Sequence, residues 1–563
     1  MKKFSFTGRA ADFQRLGEEQ FDLLIVGGGI TGAGAARDAA SRGMKVALIE
    51  AQDFAQGTSS RSSKLIHGGI RYLENLEFGL VFEALSERRL LFEIAPHLVH
   101  PLRFVLPLYE GSRVGMFKMG LGMWLYDALS MFEAPEMHER LDPIGTVDRI
   151  PLLQSHNLMG SFVYSDAYMD DDRLVIETLR SAHKMGAMPI SYVKAVGSKF
   201  ENGKVVAVEV EDQISKKKCL VRAKHVICTT GPWTDLVAPQ LVKEWKKILR
   251  PSKGVHLTFR RDRIPISQAV VMAADHEKRI VFAIPRHEMV IIGTTDTDFQ
   301  QNPLEVSTTS QDVDYLLNVA REYFPGADLK KSDIIASYAG VRPLVNDGAE
   351  TESKTSREHI IIEDPQNVTF VAGGKYTTYR LMAEQSIESA LKSFSLEDQV
   401  RFRNSQTKVA LNPHATIEKL DTISYQLPQI ARAHGVSRAV AETLFFRHGE
   451  EAHEILEKYK KSVFASNSTD QKDQNQAHAD KLMLWSLEAK HAINQSMCFH
   501  LTDFYTRRAP LFLSQADHGL GLIASISKVF AEELSWDQQR TNDECRSLQA
   551  FVSHELAWKN NLS

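Results

Sequence analysis

The pattern of apolar and polar positions changes character along the chain. Leu23 to Val26 are a short, continuously apolar run, as a strand buried on both faces of a parallel sheet requires, and they lead straight into Gly27, Gly29 and Gly32. Ala33, Ala35, Ala36, Ala39 and Ala40 then mark a small-residue helix ended by Gly43, and Met44 to Ile49 predict a second strand closed by Glu50. Two more apolar strands break at glycine, in HVICTTGPW (225–233) and VTFVAGGKYTTYR (368–380). Arg173 to Gly186 reads as an amphipathic helix, with Asp170, Asp171 and Asp172 at its positive N-terminal end rather than around a metal. Residues 253–298 alternate, in KGVHLTF and RIVFAIPR, as antiparallel strands do. Beyond about residue 400 the spacing becomes helical, and residues 466–480, SNSTDQKDQNQAHAD, read as a polar loop between helices.

The first segment carries chemistry. In G-x-G-x-x-G the first glycine allows a tight turn, the second lets a pyrophosphate approach the backbone, and the third lets helix pack on strand. Strand, helix, second strand and terminal acid fall in register around it. Glu50 lies about 20 residues on, where a carboxylate accepts hydrogen bonds from ribose hydroxyls, so the adenosine has a free 2′-hydroxyl: NAD or FAD rather than NADP. A polar loop, GTSSRSSKLIHGGIRYL (57–73), and the two later strand-to-glycine breaks imply a long cofactor touched by separated parts of the chain, which suits an extended FAD.

Composition narrows the class. At 563 residues, two or three domains are expected, and 43% hydrophobic with 25% charged residues excludes long disorder or a collagen-like chain. A net charge of -4 offers no global reason to expect nucleic acid. Cys219, Cys228, Cys498 and Cys545 have no metal-ligand spacing and suit a reduced, cytoplasmic chain. There is no signal-peptide core and no uninterrupted apolar run of roughly 20 residues, so no spanning helix is expected. Residues 113–132, RVGMFKMGLGMWLYDALSMF, predict a methionine-rich, aromatic helix that suits either a membrane interface or a buried position under a neighbouring domain.

Taken together, TSSRSSKLIHGGIRYLE, SDAYMDDDRLV, TTGPW, KGVHLTF, RIVFAIPR, IGTTDTDF, YAGVRPL and AGGKYTTYR resemble the FAD-dependent, aerobic, quinone-linked glycerol-3-phosphate dehydrogenases over almost the whole chain. Departures are small: Cys228-Thr229-Thr230-Gly231 where the family usually has Asn-Ala-Thr-Gly, Tyr376 for an aliphatic residue, and Arg507-Arg508-Ala509 for an RRT ending. The resemblance implies an α/β fold: an FAD-binding, Rossmann-like doubly wound domain, a mixed or antiparallel-sheet substrate domain and a C-terminal all-α domain. The implied divisions are 20–105, 161–252 and 335–398 for the FAD part, 106–160 for a substrate-domain or membrane-facing insertion, 253–334 for the substrate sheet and 399–563 for the helices. It also implies oxidation of sn-glycerol 3-phosphate to dihydroxyacetone phosphate by hydride transfer from C2 to flavin N5, with electrons passed to membrane quinone. The protein would then sit peripherally on the inner face of the cell membrane. A soluble oxidase that passes electrons to oxygen, and a non-catalytic FAD-binding module, are the rival readings. The sequence leaves a homodimer open.

That reaction needs cations for a phosphate dianion and a base for the hydroxyl proton. Arginine's planar fork suits the former and histidine the latter. Arg71 and Arg342 match the substrate-end cations of the family, with Lys375 at either the phosphate or the flavin edge and Tyr72 as a further substrate contact. His256 is expected as base and His67 nearer the flavin, though the two roles could be exchanged; His256, His67 and Arg342 form the catalytic set. Gly27, Gly29, Gly32, Glu50, Thr58, Ser59, Ser63, Lys64, Gly68, Gly69, Gly231, Gly374 and Thr377 are expected at the cofactor. Thr294, Thr295 and Asp296 suit a simple turn as well as a site, and stay outside the catalytic set.

Overall fold

A computed structural model describes residues 3–73, 76–274, 279–346, 358–467 and 476–561, without the side chains of 71, 462–467 and 561. The first apolar run becomes the central strand Gln20–Val26, longer at its start than the hydrophobic run alone suggests. It pairs in parallel with Val46–Ile49 on one side and Lys218–Cys228 on the other. Met188–Ile190 extends the sheet beyond Val46–Ile49, and Val368–Gly373 extends it beyond Lys218–Cys228, both in parallel. A hairpin partner, His359–Asp364, and the meander Val193–Glu201 and Lys204–Asp212 complete this sheet. Helices cover both faces of such a sheet, which explains why its strands are continuously apolar. Helix Ile30–Ser41 buries all five of its alanines. Their small side chains let it lie close against Asp171–Lys184 and Tyr379–Leu391.

The second sheet is mixed. Ser252–Arg260 lies between Met289–Gly293 and Ile334–Arg342, and the order continues through Arg279–Arg286 and Ala269–Ala274 to Val99–Tyr109, Leu158–Met169 and Leu65–Ile66. Its membership differs from the expected divisions at several places. Leu65–Ile66, Val99–Tyr109, Leu158–Met169 and Ile334–Arg342 were expected wholly or partly in the FAD part, yet all four belong to the second sheet. The reason is pairing: Val99–Tyr109 and Leu158–Met169 run antiparallel from Val99 opposite Met169 to Tyr109 opposite Leu158. Strand partners are non-local, so apolar content alone does not tell which sheet a strand joins.

The C-terminal region folds as helices, from Ile417–His434 to Gln538–Glu555, around their own apolar core. Residues 468–475 of the expected polar loop lie outside the described residues, and 476–480 open helix Gln476–Gln495 instead. A buried ion-pair network seals the seam with helix Asp171–Lys184. Arg180 donates to Glu177 at 2.6 Å and to Glu451 at 2.5 Å, while Arg447 and His448 both meet Glu488. His448, Glu451 and His491 have ligand-like spacing. However, Arg180 already holds the Glu451 carboxylate, so the cluster works as a docking network.

Burial holds several histidines neutral. The pKa values of His97 and His491 are pushed down to about 3, and those of His100 and His225 to about 4, with desolvation the largest cause in each. Between pH 6.5 and 4 the unfolded chain therefore binds protons that the folded chain refuses. Stability falls as pH falls through that window, by up to about 1.4 kcal/mol per pH unit for each histidine. The unfolding temperature, followed by calorimetry, is expected to drop steadily from pH 7 to pH 5; a flat profile would contradict this.

Candidate active site

Both sheets contribute to one cavity of about 960 Å³. At one end it runs along the glycine loop. Glu50 Oε2 accepts the Gly28 N–H at 2.7 Å, and Ser59 Oγ accepts the Ile30 N–H at 3.0 Å, so the acid and the serine loop are tied to the helix start. The Gly32 position has no room for a side chain, since a Cβ there would lie 1.9 Å from the Gly27 carbonyl oxygen. Gly27, Gly29, Glu50, Thr58, Ser59, Ser63, Gly231, Gly374 and Thr377 all line the cavity. A strand-to-helix glycine turn, backbone N–H donors at a helix start and an accepting carboxylate at the next strand's end are the groups that a dinucleotide with a free 2′-hydroxyl requires. The residues fit FAD.

At the other end lie His67, Tyr72, His256, Arg342 and Lys375. His256 comes from strand Ser252–Arg260, on the face opposite Val255 and Leu257, which enter an apolar core. Its ring stacks on Tyr338 with centroids 4.7 Å apart, and its Nε2 is 2.9 Å from Ser63 Oγ. Nδ1 is buried with no hydrogen-bond partner. Burial, then the charges of Arg342 and Lys64, hold the pKa of His256 well below the ordinary histidine value, so the imidazole is neutral at neutral pH. His67 is half-buried, and its backbone N–H donates to Thr377 Oγ1 at 3.2 Å. Lys375 Nζ sits 3.7 Å from the centroid of the Tyr72 ring, a cation–π contact that joins two substrate candidates.

Arg342 ends strand Ile334–Arg342, and its guanidinium donates to Asp296 Oδ1 at 3.1 Å, Thr294 Oγ1 at 2.8 Å and Ser252 Oγ at 3.3 Å. The glycine of KGVHLTF explains the fit: a Cβ at Gly254 would lie 2.4 Å from Arg342 Nη2. The GTTDTD turn, set aside at the sequence level, thus has a defined part: it fixes Arg342. Its signal was present but indistinguishable from ordinary turn chemistry.

Four expected cofactor residues stand elsewhere. Lys64 is buried, with Nζ on the Asp171 carboxylate and over the Tyr338 ring, because an ammonium this deep needs a counter-ion. Gly68 and Gly69 form a turn away from the cavity lining; Gly68 N–H donates to Tyr126 Oη at 3.0 Å, and its flank is filled by Leu85. Gly32 acts through helix-to-strand packing rather than on the lining. Arg71 lies in the turn Ile70–Leu73, and its side chain is outside the described residues. Asp171 and Asp172 do start the helix as expected, with Asp171 also taking Lys64 and Ser62. Lining residues not foreseen include Arg61, Trp233, and, from the C-terminal helices, His500, Thr502 and Asp503.

The chain is similar to known proteins in both sequence and structure. A family model described as FAD dependent oxidoreductase matches residues 22–380, and one described as C-terminal domain of alpha-glycerophosphate oxidase matches 420–541. The chain is 34% identical over 546 residues to the aerobic glycerol-3-phosphate dehydrogenase of Staphylococcus saprophyticus, covering 95% of each. It is 34% identical over 528 residues to that of Staphylococcus aureus, covering 93% of this chain and 92% of the relative. Among solved structures, the glycerol-3-phosphate dehydrogenase of Bacillus halodurans complexed with FAD superimposes with a TM-score of 0.77 at 27% identity, covering 98% of both chains. An L-alpha-glycerophosphate oxidase from Mycoplasma pneumoniae with FAD bound shares the fold, with a TM-score of 0.54 at 17% identity over 66% of this chain and 95% of that one.

Proposed function

The chain belongs to the family of FAD-dependent glycerol-3-phosphate dehydrogenases, and from that premise we propose that it oxidises sn-glycerol 3-phosphate at C2 to dihydroxyacetone phosphate and delivers the electrons to a membrane quinone. The observation that carries the substrate reading is the meeting of a neutral histidine, His256, with the cations Arg342 and Lys375 on the wall of the FAD cavity. When bound, FAD would supply the two-electron acceptor for the C2 hydride.

The chain's residues do the rest. His256 takes the C2 hydroxyl proton, for which a neutral imidazole is the competent form. Tyr338 and Ser63 hold its ring in one orientation. Arg342, kept in place by Asp296 and Thr294, puts positive charge beside the oxygen as it becomes anionic. Lys375, steadied by Tyr72, and Arg71 attract the phosphate, which sets glycerol 3-phosphate apart from uncharged glycerol. Anaerobic mixing with glycerol 3-phosphate is the test. The flavin absorbance should bleach with this substrate and stay unchanged with glycerol or lactate. A flavin that stays oxidised with all three would end the substrate assignment.

Helix Met116–Leu129 supports the membrane and quinone part. It buries only Met123, Tyr126 and Asp127, so the buried reading of this stretch does not hold. Phe117 (81% exposed), Leu121 (58%) and Trp124 (59%) fall at i, i+4 and i+7, and Leu125 adds to the same outward stripe. Lys118 is exposed beside them, and Phe78 and Phe82 on the neighbouring helix Phe78–Ile94 are also uncovered. No described helix is long and apolar enough to cross a membrane. An apolar stripe flanked by a cation lies in an interface instead, at the inner face of the cell membrane in this reading. Each aromatic withdrawn from water contributes roughly 1.5–3 kcal/mol, so a Phe117→Ser/Trp124→Ser protein should lose about 10²-fold or more in partitioning to anionic liposomes while its flavin still bleaches with substrate. Undiminished sedimentation with liposomes would remove the stripe from the interface. A rapid hydrogen peroxide yield in air with no quinone reduction would favour oxygen as acceptor.

A further inference from the structure

The far end of the FAD cavity, beyond Glu50, is not closed by the nucleotide fold alone. There the loop Ala51–Asp53 and Tyr192–Ala195 are joined by His500, Thr502 and Asp503 from the C-terminal helices. The loop after Glu50 also reaches back to the glycine turn, where the Ala55 N–H donates to the Gly28 carbonyl at 3.1 Å. What holds this loop is a buried carboxylate, Asp53, whose side chain is inaccessible to solvent. Its partners are two consecutive arginines of the C-terminal unit. Arg507 Nε donates to Asp53 Oδ2 at 2.6 Å, and Arg508 donates through Nη1 and Nη2 to both Asp53 oxygens at 2.9 Å. Arg507 also donates to Asp503 at 2.7 Å, and Asp503 in turn accepts the Tyr192 hydroxyl at 2.7 Å. Phe504–Arg508 is wound as a π-helical turn, closed by the Ala509 N–H on the Phe504 carbonyl at 2.8 Å, and from it the two neighbouring arginines converge on one acid.

We propose that the C-terminal helical unit is part of the FAD site: Arg507 and Arg508 hold the cavity loop through Asp53, Thr502 and His500 form the outer wall, and the unit thereby sets how tightly FAD is retained. Arg507 and Arg508 are positioning residues, since they act on the cofactor only through Asp53. Without them a buried carboxylate would lose its counter-charges, and the loop carrying it would leave its place. The π-turn and the arginine pair, far from Glu50 in sequence, thus belong to the same binding element as the glycine motif.

The test uses purified holoenzyme and reads flavin release after dilution, from the rise in free-flavin fluorescence, together with the gain in unfolding temperature that added FAD confers. Arg508→Met is expected to release FAD at least tenfold faster and to shrink the FAD-dependent gain. Thr502→Phe leaves both arginines in place and crowds the outer wall; it is expected to do the same. If Arg508→Met does not fold, Thr502→Phe decides alone. Release within twofold of the parent for Thr502→Phe, or an Arg508→Met protein that unfolds earlier with and without FAD by equal amounts while holding its flavin as before, would overturn the proposal. Neither readout involves glycerol 3-phosphate, so the result is independent of the substrate assignment.

Discussion

Replacing His256 with asparagine is expected to slow flavin reduction by glycerol 3-phosphate by about 10²–10⁴-fold, the range for losing a positioned general base, while the protein still binds its flavin. Asparagine is close to histidine in size and can keep the contact to Ser63 Oγ, so the change tests proton transfer more than packing. The parent enzyme also has a signature. Because burial, Arg342 and Lys64 all depress the pKa of His256, the base stays unprotonated well below pH 6.5. The rate of flavin reduction should therefore show no acid limb near 6.5. Stopped-flow reduction from pH 5 to 8 checks both points. An asparagine variant within threefold of the parent would pass the base role to His67, the histidine that lies with His256 at the substrate end of the cavity.

Arg342→Met is the second large effect. In the proposed mechanism it removes a fixed charge next to the oxygen that becomes anionic, and the loss of one such donor costs about 10²–10³-fold in rate. A further consequence separates this role from simple substrate holding. Burial is the largest cause that lowers the pKa of His256 and the charge of Arg342 the next, so its removal lets that pKa rise part of the way. Any acid limb in the rate should therefore move to higher pH in the variant than in the parent. A variant whose half-saturation rises while its limiting rate and pH profile are unchanged would restrict Arg342 to binding. The Asp296 contact supplies a graded check, because Asp296→Asn should loosen the guanidinium without removing its charge.

Much of this was readable along the chain because it rests on local pattern. Gly27, Gly29, Gly32 and Glu50 sit in one strand–helix–strand unit of about thirty residues, where short spacing dictates both the turn and the position of the acid. His256 was singled out only by the family resemblance of KGVHLTF; that the missing side chain of Gly254 makes room for Arg342 beside it came from the structure. Lys64 shows where such reading stops. It stands in a polar loop among serines that line the cavity, but its charge is neutralised by Asp171, over 100 residues later. Nothing near Lys64 in sequence reveals that partner.

The sequence by itself determined the nucleotide-binding unit and the helical character of the C-terminal region, since each follows from periodicity, a glycine requirement or a motif held within a few dozen residues. The candidate histidines and cations came from the family resemblance. Only the tertiary structure decided that Ile334–Arg342 pairs with Ser252–Arg260, that Asp296 and Thr294 fix Arg342, that helix Met116–Leu129 turns its aromatic stripe outward, and that Arg507 and Arg508 close on Asp53. Those outcomes depend on strand pairing and ion pairing between residues tens to hundreds of positions apart. The energies that choose such partners come from burial and counter-charge in the assembled fold, which no local pattern carries.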